Sequence, residues 1–292
     1  MLAAHLVQAA FLQPDTGVPK EAARLALRAL YAELRLYPKP GLVSLVDNGS
    51  HDDMEAATFM RSLFSLRHYF AAICQAGIDD APFALLRQLG IDAERRMLAA
   101  TRGINTHRGA IFSLGLLCAA FGRARAQGIK LTPAALRAVL LIRWGEELGT
   151  HMQHGDTASH GAQAAARYAV SGAREEGALG LPSVFNIGLP ALHAALARGA
   201  RLHEARTDAL FALMAHASDT NVFHRGGADG ARLVRSHAQR FIDNGGTASA
   251  DWRAQALACH RLFVARRLSP GGAADLLAAT CLVHAFVAAN WQ

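Results

Sequence analysis

Arg108-Gly-Ala-Ile-Phe-Ser-Leu-Gly-Leu-Leu-Cys-Ala-Ala-Phe-Gly-Arg-Ala-Arg-Ala126 repeats apolar side chains at three- and four-residue spacing, the period of a helix with a buried face. The same spacing recurs along almost the whole chain, and the period-two alternation that marks strands is nearly absent. It predicts helices over 20–36, 55–76, 82–100, 108–126, 132–150, 160–177, 189–198, 204–217, 226–243, 251–267 and 271–290. Thr132-Pro133 and Ser269-Pro270 each pair an N-cap side chain with a proline suited to the first helical position. Gly77, Gly128 and Gly199 fall where a helix end favours a left-handed residue. Loops are short and no Ser/Pro-rich linker divides the chain. The expected fold is therefore all-α, a single compact domain over residues 1–292 with about eleven helices and polar active-site loops at helix N-termini.

Hydrophobic residues make up 52% of the 292, enough for a large core. The four cysteines, Cys74, Cys118, Cys259 and Cys281, lie far apart with no CxxC pair, which excludes a zinc ribbon and fits a reducing, cytoplasmic setting. No basic stretch followed by a long apolar run opens the chain, so no signal peptide is expected. The most apolar stretch, Ala273–Ala289, contains Asp275 and His284 and is shorter than the roughly 20 residues of a membrane span. The formal charge of +7 favours anionic partners. With no block of like charges and no aromatic-interleaved basic stripe, nucleic acid is not among those expected.

Three polar segments interrupt this helical pattern. The first runs from Tyr37-Pro-Lys-Pro-Gly-Leu-Val-Ser44 through Asp47-Asn-Gly-Ser-His-Asp-Asp-Met54. Pro38 and Pro40 stiffen the backbone around Lys39 and Gly41 lets it turn, a presentation suited to a phosphate contact. Asp52 and Asp53, beside His51, either cap the following helix or offer hard oxygen ligands to Mg²⁺. The second segment, Thr101-Arg-Gly-Ile-Asn-Thr-His-Arg-Gly109, crowds Asn105, Thr106, His107 and Arg108 into one turn at a helix N-terminus, where unpaired N–H groups attract phosphate. The third, Asp219-Thr-Asn-Val-Phe-His-Arg-Gly-Gly227, repeats that logic. In it, Asp219 and Asn221 suit metal or ribose hydroxyls, and His224 and Arg225 suit phosphates. A weaker stretch, Ser159-His-Gly161 with Tyr168 and then Gly172-Ala-Arg-Glu-Glu176, adds Arg174 and Glu176. His151, His154 and His160 lack any zinc signature, and Walker, Rossmann and serine-hydrolase motifs are absent.

Taken together, Pro38–Val43 with Asp47–Met54, Gly103–Gly115, Gly172–Glu176 with Gly180–Val184, and Asp219–Gly227 resemble the triphosphoribosyl-dephospho-CoA synthase family, in the family's order from about Leu25 to Leu233. The resemblance implies a transferase that joins ATP and 3′-dephospho-CoA. The acceptor's 2′-hydroxyl attacks the anomeric carbon of the ATP ribose and adenine leaves. The product would be the prosthetic-group precursor of an acyl-carrier subunit, in malonate decarboxylase rather than citrate lyase. Two departures stand out. Ser44 follows Gly41-Leu-Val43 where the citrate-lyase branch often has an acidic residue, and Arg174-Glu-Glu-Gly177 replaces Arg-Gly-Glu-Ala.

Breaking an N-glycosidic bond builds positive charge on ribose, which carboxylates stabilise, and the attacking hydroxyl needs a base. Asp53, Asp52, Asp219 and Glu176 are the expected catalytic carboxylates, with Asp53 foremost and with Asp52, Asp53 and Asp219 also assigned to Mg²⁺. Lys39, Ser44, His51, His107, Arg108, Arg174, His224 and Arg225 are expected to contact substrate, mainly phosphate. Thr106 is expected to contact substrate too, and Asn105 and Asn221 to hold ribose or adenine. A metal-dependent N-glycosidic hydrolase of the ADP-ribosyl type is the alternative, and the sequence leaves a homodimer open.

Overall fold

In the computed structural model, which describes residues 17–154 and 172–288, apolar periodicity becomes helix nearly everywhere and no strand forms among those residues. The described helices are α1 (Gly17–Leu34), α2 (Ala56–Ser65), α3 (Arg67–Ile78), α4 (Phe83–Ala100), α5 (Arg108–Ala126), α6 (Pro133–His154) and α7 (Ala173–Ala178). A π-helical turn (Val184–Gly188) follows, then α8 (Leu189–Ala197), α9 (Leu202–His216), α10 (Thr220–Asp243), α11 (Trp252–Ala265) and α12 (Gly271–Ala288).

Helix α5 is the axis of a single all-α domain, packed by α1, α3, α4, α6 and α12. Small residues let α3 and α5 cross at backbone contact. A Cβ on Gly77 would meet the Ala119 carbonyl oxygen at 2.0 Å, and one on Gly122 would meet that of Cys74 at 2.2 Å. Gly77 is thus a packing residue inside α3, not the left-handed helix end expected; Asp80 takes that conformation at φ 57°. Gly128 and Gly199 do adopt positive φ. On the other side, Phe121 of α5 stacks on Phe286 of α12 with ring centroids 4.0 Å apart. Helices α5 and α12 are long and apolar enough to cross a membrane, but both spend that character on this core.

Other boundaries shift for identifiable reasons. The helix expected over 55–76 breaks at Leu66, which closes α2 and opens α3. The helix expected from 226 starts at Thr220 and kinks at Gly227 (φ 61°, ψ −160°), a conformation open essentially to glycine. Leu268 fills the concave side, since a Cβ on Gly226 or Gly230 would meet its Cδ2 at 2.5 or 2.9 Å. Thr132 caps α6 as expected, accepting from Ala135 N at 3.1 Å. Ser269-Pro270 does not repeat the device, because α12 starts at Gly271 and the Ser269 hydroxyl bonds His51 instead. Most of the helix expected over 160–177 lies outside the described residues.

These features position the polar segments. Ser50 donates to the Leu268 carbonyl at 2.6 Å, and its N–H bonds Gly41 O, so the first segment is stapled to the α11–α12 loop. The first turns of α10 and α12 share one cap, Asp219, while Asp275 of α12 lies against Gly109 and accepts from Ala110 N at the first turn of α5.

Candidate active site

The outer rim joins the first and third segments. Arg225 on α10 donates to Ser50 O (3.1 Å) and to His51 Nδ1 (3.1 Å). With Nδ1 accepting, the neutral His51 ring donates through Nε2 to Ser269 Oγ at 2.8 Å. Burial and then the Arg225 charge hold this imidazole below its usual pKa, against the pull of Asp53 and Asp52. The Asp53 carboxylate lies 3.6 Å from His51 Nδ1, and Asp52 pairs with Arg267 at 3.1 Å. Both aspartates are solvent-facing, with side chains 62% and 85% exposed, so they are open to a ligand. Two carboxylates, two guanidiniums and an imidazole thus share one open edge.

Beneath it lies a buried polar centre. Lys39, expected as a phosphate contact, is 1% exposed and pairs with Glu33 of α1 at 2.5 Å. Pro38 and Gly41 turn the Lys39 side chain inward, where a buried carboxylate requires a cation. Desolvation still raises the Glu33 pKa despite that pairing. Asp219, 8% exposed, gives Oδ1 to Asn221 N (3.0 Å) and Val222 N (3.3 Å) and Oδ2 to Ala273 N (3.0 Å). Its oxygens serve the N-termini of two helices, α10 and α12. Among the described residues no group of three or more metal-type side chains forms. Asp275 is held far above the usual carboxylate range by burial and by the neighbouring Glu33 and Asp219.

Ser44 is likewise structural. Its buried hydroxyl accepts from Val46 N and Asp47 N, closing the turn from which Asp47 reaches His260 Nε2 at 3.3 Å. His260 in turn bonds the Lys39 carbonyl at 3.1 Å.

In the second segment, Asn105 Oδ1 accepts from Arg108 N at 3.2 Å, and Arg108 pairs with Glu94. Thr106 Oγ1 donates to Ser62 Oγ of α2 at 2.7 Å, and His107 Nδ1 lies 2.6 Å from that same oxygen. His107 is 3% exposed, and burial, aided by the Lys39 charge, depresses its pKa to about 3. The unfolded chain titrates near 6.5. Between those values only the unfolded state binds the proton, so stability present above pH 6.5 is lost as pH falls, at about 1.4 kcal/mol per unit. His107→Gln is expected to show a shallower loss of denaturant midpoint between pH 7 and pH 5 than the parent protein. Parallel curves would mean that the imidazole is not held neutral.

The weaker fourth stretch behaves as a packing joint. Glu176 accepts from Ser183 Oγ (2.5 Å) and Ser183 N (3.2 Å), bracing α7 against the π-helical turn. Burial raises its pKa more than Ser183 lowers it. Both of its oxygens thus accept from Ser183. Arg174 acts electrostatically on His151 of α6. Ser159, His160, Gly161 and Tyr168 lie outside the described residues. Asn221 and His224 are exposed on the first turns of α10, with Asn221 Nδ2 seated where a Cβ on Gly271 would stand.

The structure therefore brings His51, Asp52, Asp53 and Arg225 to one rim, while Lys39, Ser44, Asp219 and Glu176 make internal contacts with Glu33, the Val46 and Asp47 amides, two helix N-termini and Ser183. Sequence reading missed Arg267 and Ser269 at that rim, and Glu33, Ser62, His260 and Asp275 beneath it. Asp275 carried one signal, a lone acid inside the most apolar stretch.

Fold and site define an all-α enzyme whose polar loops stand before helix N-termini, with no P-loop and, among the described residues, no strand for a Rossmann unit. A family profile described as "ATP:dephospho-CoA triphosphoribosyl transferase" (CitG) matches residues 19–292. The chain belongs to that family and is a transferase. It is 39% identical over 263 residues to "2-(5''-triphosphoribosyl)-3'-dephosphocoenzyme-A synthase" of Pectobacterium atrosepticum, covering 88% of this chain and 86% of the relative. It is 41% identical over 256 residues to "Probable 2-(5''-triphosphoribosyl)-3'-dephosphocoenzyme-A synthase" of Acinetobacter calcoaceticus, covering 88% and 87%. No solved structure matches.

Proposed function

We propose that this protein transfers the triphosphoribosyl group of ATP to the 2′-hydroxyl of 3′-dephospho-CoA and releases adenine. The observation that carries this reading is the Arg225 clamp, which fixes the loop of His51, Asp52 and Asp53 against α10 and Ser269. In the reaction the acceptor oxygen forms a bond to C1′ as the C1′–N9 bond breaks, and the bonding pair leaves with the purine. The hydroxyl proton passes to Asp53, whose exposed carboxylate is the best placed general base, and finally to adenine. Asp53 and Asp52 also stabilise positive charge building on the ribose. Arg225, Arg267 and Arg108 offset the charge of two polyphosphates, and Asn105, Asn221 and His224 line the approach. His51 carries no cation to phosphate; as a neutral ring bridging Arg225 and Ser269 it holds the rim in shape.

Asp52 and Asp53 also fit Mg²⁺, which is held by one or two carboxylates together with substrate phosphates. When bound, the ion would neutralise triphosphate charge. For the downstream partner, the reading is the acyl carrier of malonate decarboxylase, supported by Ser44 where the citrate-lyase branch often carries an acid. In this fold that serine closes a turn.

The test is incubation with ATP, Mg²⁺ and 3′-dephospho-CoA, following adenine by chromatography. Adenine formed only with the acceptor, together with a heavier CoA adduct, supports the transferase. Adenine released from ATP without acceptor would favour a hydrolase and overturn the reading.

A further inference from the structure

We infer that Ser62 is a positioning residue: the hydroxyl chain Thr106–Ser62–His107 aims the Nε2–H of His107 as a fixed donor to a ring nitrogen of the departing adenine. This deepens the transferase reading and rests on it for the ligand; the hydroxyl chain itself stands on geometry alone.

A hydroxyl has one proton to give. Thr106 Oγ1 donates to Ser62 Oγ at 2.7 Å, so the Ser62 proton is free for His107 Nδ1 at 2.6 Å. With Ser62 donating onward, Nδ1 is an acceptor and the neutral imidazole carries its proton on Nε2, the tautomer that the labelling test reads. That nitrogen is buried and has no hydrogen-bond partner. Leaving such a donor unpaired costs about 1–3 kcal/mol, and three residues combine to hold it so. It stands at the N-cap of the 19-residue helix α5, with the Phe59 ring edge-on to the imidazole at 5.1 Å.

The chemistry of the neighbours selects the acceptor. Guanidiniums at the rim suit phosphates, whereas a neutral donor beside an aromatic ring suits an uncharged heteroaromatic base. Adenine offers N3 and N7 as acceptors. As C1′–N9 breaks, its electron pair moves into the purine and strengthens the hydrogen bond. His107 keeps its proton, and the purine is neutralised by the proton from the 2′-hydroxyl. A donor strengthened only as charge develops accelerates the step itself.

The test has two independent readouts. Protein labelled with ¹⁵N-histidine should show His107 protonated at Nε2 and not at Nδ1, unchanged from pH 8 to pH 5. Ser62→Ala, and separately Thr106→Val should Ser62→Ala fail to fold, should lose that single tautomer. A protonated Nδ1 in the parent protein would overturn the inference even if no adenine were ever released. In the second readout, Ser62→Ala should lower kcat with ATP about tenfold or more while KM values move little. With one of 7-deaza-ATP and 3-deaza-ATP, whichever lacks the accepting ring nitrogen, the same substitution should cost almost nothing further, while with the other it should cost as much as with ATP. An equal loss with ATP and both analogues, or a changed tautomer with unchanged kcat, would show that Nε2 meets only an internal water. If the parent protein makes no adenine while the tautomer is as stated, the transferase reading fails and the hydroxyl chain survives.

Discussion

Asp53→Asn is expected to lower kcat for adenine release by about 10²–10⁴-fold, the range of a lost general base, with little change in thermal midpoint. Stability should hold because the side chain is 62% exposed and lies 3.6 Å from an imidazole that stays neutral. Asn keeps the shape and removes the charge, so the experiment isolates the carboxylate. A Mg²⁺ titration of the variant separates two proposed roles. Recovery at high Mg²⁺ would mark a metal ligand, since weakened binding yields to concentration; failure to recover would mark the base. Asp52→Asn is the natural comparison. That carboxylate is paired with Arg267, so its loss removes part of the charge facing the ribose and frees a guanidinium at the rim; it should lower kcat less than Asp53→Asn and also shift KM for ATP. Full activity in Asp53→Asn would remove the acidic centre of the mechanism.

The all-α class was legible because its signal is repetitive and local, one apolar spacing restated from α1 to α12. Helix ends were less so where tertiary contact decides them. Gly77 sits beside a terminus in sequence, yet the Ala119 backbone passing over it is what excludes a side chain. Gly227 kinks α10, and Leu268, 41 residues on, packs against the flanking Gly226 and Gly230. The site divided along the same line. His51, Asp53 and Arg225 announced themselves as clustered polar residues in glycine-flanked loops. Arg267, Ser269 and Asp275 did not, since each becomes polar machinery only when the α11–α12 connection folds onto segments far away in the chain. Asp219 shows the reverse case: its sequence context suits a ligand and an N-cap equally, and the capping geometry, three backbone N–H groups on its oxygens, appears only in the fold.

Lys39→Met is expected to destabilise the protein by about 3–5 kcal/mol, a fall in thermal midpoint on the order of 10 °C, rather than to weaken ATP binding selectively. The reason is its partner. Glu33 is 4% exposed and already held toward its neutral form by burial, with Lys39 as the first opposing influence. Removing the ammonium strands that carboxylate beside Asp275, itself raised by Glu33 and Asp219. Protonation of Glu33 would limit the damage, so the loss should grow as pH rises above the usual carboxylate range. The double variant Glu33→Gln with Lys39→Met tests this account, because exchanging both members of a buried pair is often close to neutral. It should recover most of the lost midpoint and flatten that pH dependence. If Lys39→Met instead kept its midpoint and raised KM for ATP tenfold, the ammonium would have to leave Glu33 and reach phosphate in the working enzyme. The phosphate contact suggested by its proline-flanked sequence would then stand.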